Sequence, residues 1–418
     1  MKRETMKLEL HVLQNFAPSN LNRDDTGAPK DCEFGGYRRA RISSQCYKRA
    51  VRQSFELDKL LGEDELAART KRLVAEVADE LKEKYSRDRE TALAVAMGAL
   101  EGQKLKRSDK GGEGDERWKT QYLLFVPRKT IAQLAAVLDQ HWDELAELAA
   151  SKSAAEKSDA SDDKSDKSKK GRTEKSDKKK EKAKAKSEYP KEVGAAVSAL
   201  LQGARGAVDL ALFGRMIADA PEFNVDAACQ VAHAISTNRV QMDFDFFTAV
   251  DDFKPNDNAG SDMMGTVQFN SSCFYRYAVL DVGALYAKLE KNAALTTKGV
   301  EAFVKAFVSA IPTGKQNGTA AHNFPSYVMA VVSEGGPSLS LANAFLKPAR
   351  PRGEDVDIVD DSIAKLEAYA ARLGDVGANG LKFSWADREQ STKEPVAKRC
   401  DKLSELYSEV TALVAGAQ

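Results

Sequence analysis

Between Tyr37 and Arg52 the chain carries six basic residues and no acid. Spacing sorts part of this run. Read as a helix capped by Ser43 or Ser44, it places Gln45, Lys48, Arg49 and Arg52 at i, i+3, i+4 and i+7, one polar and cationic face. Tyr47, Ala50, Val51, Ser54 and Phe55 fall on the other face, which would pack against a strand. A helix start with free backbone N–H groups and serine hydroxyls beside such a face suits phosphate. The competing reading is an ordinary solvated helix face, and Arg38, Arg39 and Arg41 just upstream weigh against it. A different chemistry is open to Asp24 and Asp25, adjacent carboxylates beside Arg23 that could hold a hard cation. Most such loop pairs close turns or form salt bridges. The five cysteines form no Cys-x-x-Cys and read as reduced thiols, and the four histidines show no ligand spacing. Neither a metal site nor a cofactor is expected.

These residues need elements to position them. Met6 to Phe16 largely alternates apolar and polar residues, predicting a half-buried strand ahead of the Pro/Asn/Asp/Gly-rich loop 17–36. Residues 57–150 repeat apolar positions such as Leu66, Leu73, Val77 and Leu81 at helical spacing, interrupted by the Gly-rich loop Lys110 to Gly114. Residues 151–190 are almost wholly Lys, Ser, Asp, Ala and Glu, too polar to form a core, and predict a disordered insert. Strand-like runs return at Ala207–Phe213, within 225–240, and at Thr266–Asp281 and Tyr327–Ser333; helical patterns occupy 283–291, 297–310, 355–373 and 395–414. The result is an α+β chain with a helical block inserted after the first strand and helix. Met242 to Phe246 alternates, Pro255–Gly260 carries turn residues, and Met263, Met264, Val267 and Phe269 lead back, which predicts a β-hairpin over 241–269. The net charge is zero, so any polyanion site must be a local patch. No apolar run is long enough for a membrane span, and the charged N-terminal stretch does not resemble a signal peptide. A cytoplasmic location with no membrane partner is expected.

Four ordered blocks carry a resemblance. They are Leu21–Asp25 with Phe34–Arg52, Asp209–Met216, Ala232–Asn238 leading to Asp245–Asp252, and Ser338–Phe345. Together they resemble the CasC family, the repeated backbone subunit of type I-E CRISPR surveillance complexes (Cascade). The insert at 151–190 is the departure from that pattern. The resemblance implies a modified RNA-recognition-motif (ferredoxin-like) palm over 1–57, 205–240 and 270–418. It further implies helical fingers over 58–204 and a hairpin thumb over 241–269. Its partners would be a CRISPR RNA, copies of itself, other Cascade subunits, target DNA through guide pairing, and a recruited helicase-nuclease.

Carried over residue by residue, the resemblance puts Arg23, Lys30, Ser43, Gln45, Lys48, Arg49 and Arg52 on the RNA backbone. It makes Gly214-Arg215-Met216 a second guide-contacting turn, with a glycine allowing close approach, an arginine able to fork onto phosphate and a methionine able to wedge at an unstacked base. Phe247 would pack beside a displaced nucleotide; Phe246 stands where the family is associated with tryptophan. The expectation is a non-catalytic RNA-binding subunit of an antiviral complex. The alternative is a metal-dependent ribonuclease using Asp24 and Asp25, as in type III relatives, and a purely structural oligomer is disfavoured by the basic run.

Overall fold

A computed structural model of the chain describes residues 1–109, 112–162, 189–204, 206–249, 263–374, 376, 380–389 and 396–417, with 153–162 described by backbone alone. The chain divides into two compact units, residues 1–62 with 228–418, and residues 63–227. The architecture is mixed α+β.

The first unit is built on β1 (Met6–Ser19), antiparallel to both β9 (Met263–Asp281) and β10 (Tyr327–Glu334). Leu10 pairs with Ala278 on one side and Ala330 on the other. Beyond β10 come β11 (Gly380–Ala386) and β12 (Lys398–Arg399). Beyond β9 come β7 (Ala234–Ser236), β3 (Tyr37–Ile42) and β2 (Asp31–Phe34), and β6 (Cys229–Val231) also pairs with β9. The first part of β9 leaves the sheet to pair with β8 (Asp243–Ala249) as a hairpin.

Alternation along β1 predicts one solvated face, yet both faces are covered. Leu13, Tyr275, Tyr277 and Met329 form a core with Leu341, Phe345 and the helix Ile358–Arg372. On the other face, buried Arg276 donates to the carbonyls of Phe307 and Val308 at the end of the helix Ala293–Ser309 and lies over the Tyr47 ring. Glu9, His11 and Gln14 of β1 are therefore buried and paired rather than solvated. Glu9 accepts from the Tyr277 hydroxyl and the Leu339 amide, and His11 shares a hydrogen bond with the Tyr275 hydroxyl. Burial holds the His11 pKa down at about 3 and raises that of Glu9.

The second unit is helical, with a short ribbon of β4 (Ala67–Thr70) and β5 (Leu124–Pro127). Helices Leu73–Tyr85, Arg89–Glu101, Arg128–Gln140 and Lys191–Leu201 close on a core that includes Leu81, Leu93, Val95, Leu134, Leu138 and Val197. Ile217, Ala220 and Phe223 belong to the same core, so 206–227 packs with the helices, not with the palm to which the resemblance assigned it. Ala207–Phe213 is also not a strand. Val208–Phe213 is a helix, and its buried Asp209 accepts from the Ala67 amide. A short apolar run does not by itself separate strand from buried helix. The expected insert lies mostly on residues outside those described; its opening, through Asp162, continues the helix Trp142–Asp162. The hairpin turn expected at Pro255–Gly260 also lies outside the described residues.

Candidate functional site

The basic segment folds as α1, Ser44–Leu57, and its buried residues are Tyr47, Ala50, Val51, Ser54 and Phe55, the face expected from spacing. Gln45 and Arg49 are exposed, while Lys48 and Arg52 are half-buried. Ser43 is the cap, its Oγ accepting from the Cys46 amide at 3.3 Å. That hydroxyl is itself buried, so Ser43 shapes the helix start more than it offers a free donor.

The amides expected to be open at the helix start are partly occupied. Asn22 Oδ1 accepts from the Ser43 amide at 2.8 Å, and His233 Nδ1 accepts from the Ser44 amide at 3.1 Å. His233 was invisible to spacing arguments, since its partner is 189 residues away in sequence. Desolvation, then Arg41 and Lys30, lower its pKa and favour the neutral acceptor.

Beside α1 lies a cleft of about 440 Å³. Arg23, Asp24 and Asp25 form one side, Arg49 and Gln53 of α1 another, and Thr313 and Gly314 a third. The structure thus brings Arg23 and Arg49 to one cleft. Lys30 sits in the adjoining loop, which is pinned by its own amide to the Asn22 carbonyl and by its carbonyl to the Arg41 amide. Asp24 is a turn-former: one carboxylate oxygen accepts from the Thr26 amide, the Thr26 hydroxyl and the Ala28 amide, and these bonds, led by the hydroxyl, lower its pKa. Among the described residues no cluster of His, Cys, Asp or Glu is arranged to hold a metal ion.

In the helical unit, the turn Gly214–Met216 departs from expectation at two of its three positions. Gly214 has φ +73°, and a Cβ there would lie 2.6 Å from the Val225 carbonyl oxygen. The close approach it permits is to this chain's own backbone. Arg215 is only 8% exposed. Its Nε donates to the Phe223 carbonyl at 2.8 Å, and its two terminal nitrogens to those of Phe125 at 2.8 Å and Leu201 at 2.6 Å. A guanidinium committed to three carbonyls is not a fork presented to phosphate; Arg215 secures the turn. Burial brings its pKa down to about 10, which leaves it charged at neutral pH. Met216, by contrast, is 86% exposed.

On the β8–β9 hairpin, Phe244 and Phe246 share one face with Met264, and Phe247 points to the other. Phe247 is 38% exposed because its ring covers Gly265, its cross-strand partner, where a Cβ would come within 2.5 Å of the ring. It is not a core residue.

The sequence profile of a family described as CT1975-like protein matches residues 8–409. A solved chain titled "CRISPR RNA-guided surveillance complex, pre-nicking" is 29% identical, with a TM-score of 0.78 over 98% of this chain and 100% of that one. Another, titled "CRISPR RNA-guided surveillance complex", shares the fold at 24% identity and a TM-score of 0.68, covering 97% of this chain and 99% of that one. No curated protein matches. No helix among the described residues is long and apolar enough to cross a membrane.

Proposed function

The chain belongs to the CT1975-like protein family, and from that premise we propose that it is a guide-RNA-binding backbone subunit of a type I-E Cascade complex. The observation that carries the reading is α1, whose polar face gathers Lys48, Arg49 and Arg52 while its apolar face is buried. Such a face grips a polyanion through phosphate, without reading sequence. Full-length similarity to a chain of an RNA-guided surveillance complex supplies the class of polyanion.

In this reading Arg23, Lys30, Lys48, Arg49 and Arg52 hold phosphates of the guide. Ser43 and Gln45 order the helix start beside them, Gln45 Oε1 accepting from the Ser44 hydroxyl. Gly214 and Arg215 act indirectly, by fixing the turn that exposes Met216. Met216 and Phe247 offer apolar surface to bases displaced from the stack. Copies of the chain then line one guide, leaving its bases to pair with target DNA while a recruited helicase-nuclease cuts. The subunit itself is non-catalytic; the engagement of Asp24 in its own turn supports this over metal-dependent cleavage.

The test is purification of the tagged protein from its host, followed by added nuclease and sizing of the RNA that survives. Protected fragments at regular intervals are expected. Absence of RNA, or metal-dependent shortening of RNA abolished by Asp25→Ala, overturns the proposal.

A further inference from the structure

The cleft beside α1 has a wall that the basic segment does not supply. Pro312, Thr313 and Gly314 form it, lining the cleft together with Arg23 and Arg49. The loop is held tightly against the end of β1. A Cβ at Gly314 would collide with the Leu21 and Asn20 carbonyl oxygens, so only glycine lets the two backbones approach this closely. Gln316 pins the loop from behind, its Nε2 donating to the Pro312 carbonyl at 3.2 Å and its Oε1 accepting from the Ala321 amide at 2.8 Å. Lys315 is held at φ +52°, a left-handed conformation uncommon for a residue with a side chain. Backbone outliers persist where surrounding structure over-determines them, and they cluster at ligand sites.

The amides of Thr313, Gly314 and Lys315 find no acceptor among the described residues. Consecutive backbone N–H groups in a fixed bend make an anion-binding concavity. Arg23 and Arg49 line the same cleft, and of the two carboxylates there Asp24 is engaged by the Thr26 and Ala28 donors of its own turn.

We infer that the loop Pro312–Lys315 is a second phosphate-binding element, which receives a phosphodiester of single-stranded RNA between its amides and the Arg23 and Arg49 side chains of the same cleft. The inference rests on the guide-binding reading and adds to it a contact made by backbone from a distant part of the chain. Its pre-formed geometry means little ordering on binding.

The experiment uses the full chain with a single-stranded oligouridylate RNA as probe, following two readouts. Affinity against salt gives a log–log slope to which each neutralised phosphate contributes about −0.7 on a single strand. Lys315→Ala should flatten that slope by about 0.7, and Lys48→Ala/Arg49→Ala/Arg52→Ala by about 2. Amide hydrogen exchange across 312–316 in the unaltered protein should slow when the RNA is added, a readout independent of whether any variant folds. A loop that gains no protection, in a protein whose triple variant does lose slope, overturns the inference and leaves guide binding by α1 standing. A triple variant with an unchanged slope and an intact fold overturns both.

Discussion

The α1 face and the Gly214–Met216 turn both present arginine in a setting that reads as phosphate-binding, yet the two use it in opposite ways. On α1 Arg49 is exposed and donates to Gln53 Oε1 one turn along the same helix, at 3.1 Å, so its charge stays at the surface. In the turn Arg215 is buried and its N–H groups meet the carbonyls of Phe125, Leu201 and Phe223. The same fork that recognises a phosphate serves there as a clasp joining three backbone segments. What distinguishes them is the neighbourhood. An amphipathic helix always has an outside, whereas a turn following a buried helix can fold its side chain inward onto buried carbonyls. The exposed member of the turn is the methionine, so its apolar residue faces water while its charged residue is buried.

Removing the clasp should have the largest effect. Arg215→Ala takes its donor from three carbonyls, at about 1–3 kcal/mol for each that is left unsatisfied. Urea unfolding followed by circular dichroism should show it as loss of the helical transition, and Arg215→Lys should recover little because an ammonium cannot span the three acceptors. A variant as stable as the parent but with weakened RNA binding would erase the contrast and return Arg215 to the phosphate set.

The opposite signature is expected for α1. The triple alanine variant should keep its thermal midpoint while losing RNA affinity most steeply at low salt, with its log–log slope flatter by about 2. A large drop in stability would make these side chains structural, like Arg215.

Phe247 sharpens the comparison from the apolar side. It covers Gly265 but no core, so Phe247→Ala should leave the unit of residues 1–62 and 228–418 folded while costing about 1–3 kcal/mol of RNA affinity. Assembly with a normal copy number and footprint, measured by native mass spectrometry and nuclease protection, would remove its stacking role.

The smallest effect is at the helix start. His233 accepts from Ser44 as a neutral imidazole, and its folded pKa lies below the ordinary value of 6.5. A depressed histidine contributes stability that is present above its unfolded pKa and lost as pH falls through the folded one. Urea midpoints should therefore decline as pH falls below about 6.5, and His233→Gln should soften that decline by about 1 kcal/mol or less, in keeping with a single cap. Titration of buried His11, whose pKa is held at about 3, acts in the same direction, so the difference between variant and parent is the quantity to measure.

Local pattern carried much of this protein. The period of 3.6 residues sorted α1 into its two faces and narrowed its cap to Ser43 or Ser44, because neighbours three and four apart on a helix are fixed by geometry alone; the structure selects Ser43. Alternation likewise located the start of β8, a strand-like run located most of β9, and the four motif blocks pointed to a subunit of a CRISPR surveillance complex, the class of the solved chain similar over 98% of this one. Tertiary structure decided the rest. It made a helix of Val208–Phe213, since a short apolar run fits either form until its neighbours select one. It moved 206–227 into the helical unit through Ile217, Ala220 and Phe223, and buried Glu9 and His11 by covering the second face of β1. It also brought His233 to Ser44, and Thr313 and Gly314 to Arg49. Each of these outcomes depends on partners far away in sequence, and hydrogen-bond demand and burial are set by what the folded chain places alongside a residue, which no local period encodes.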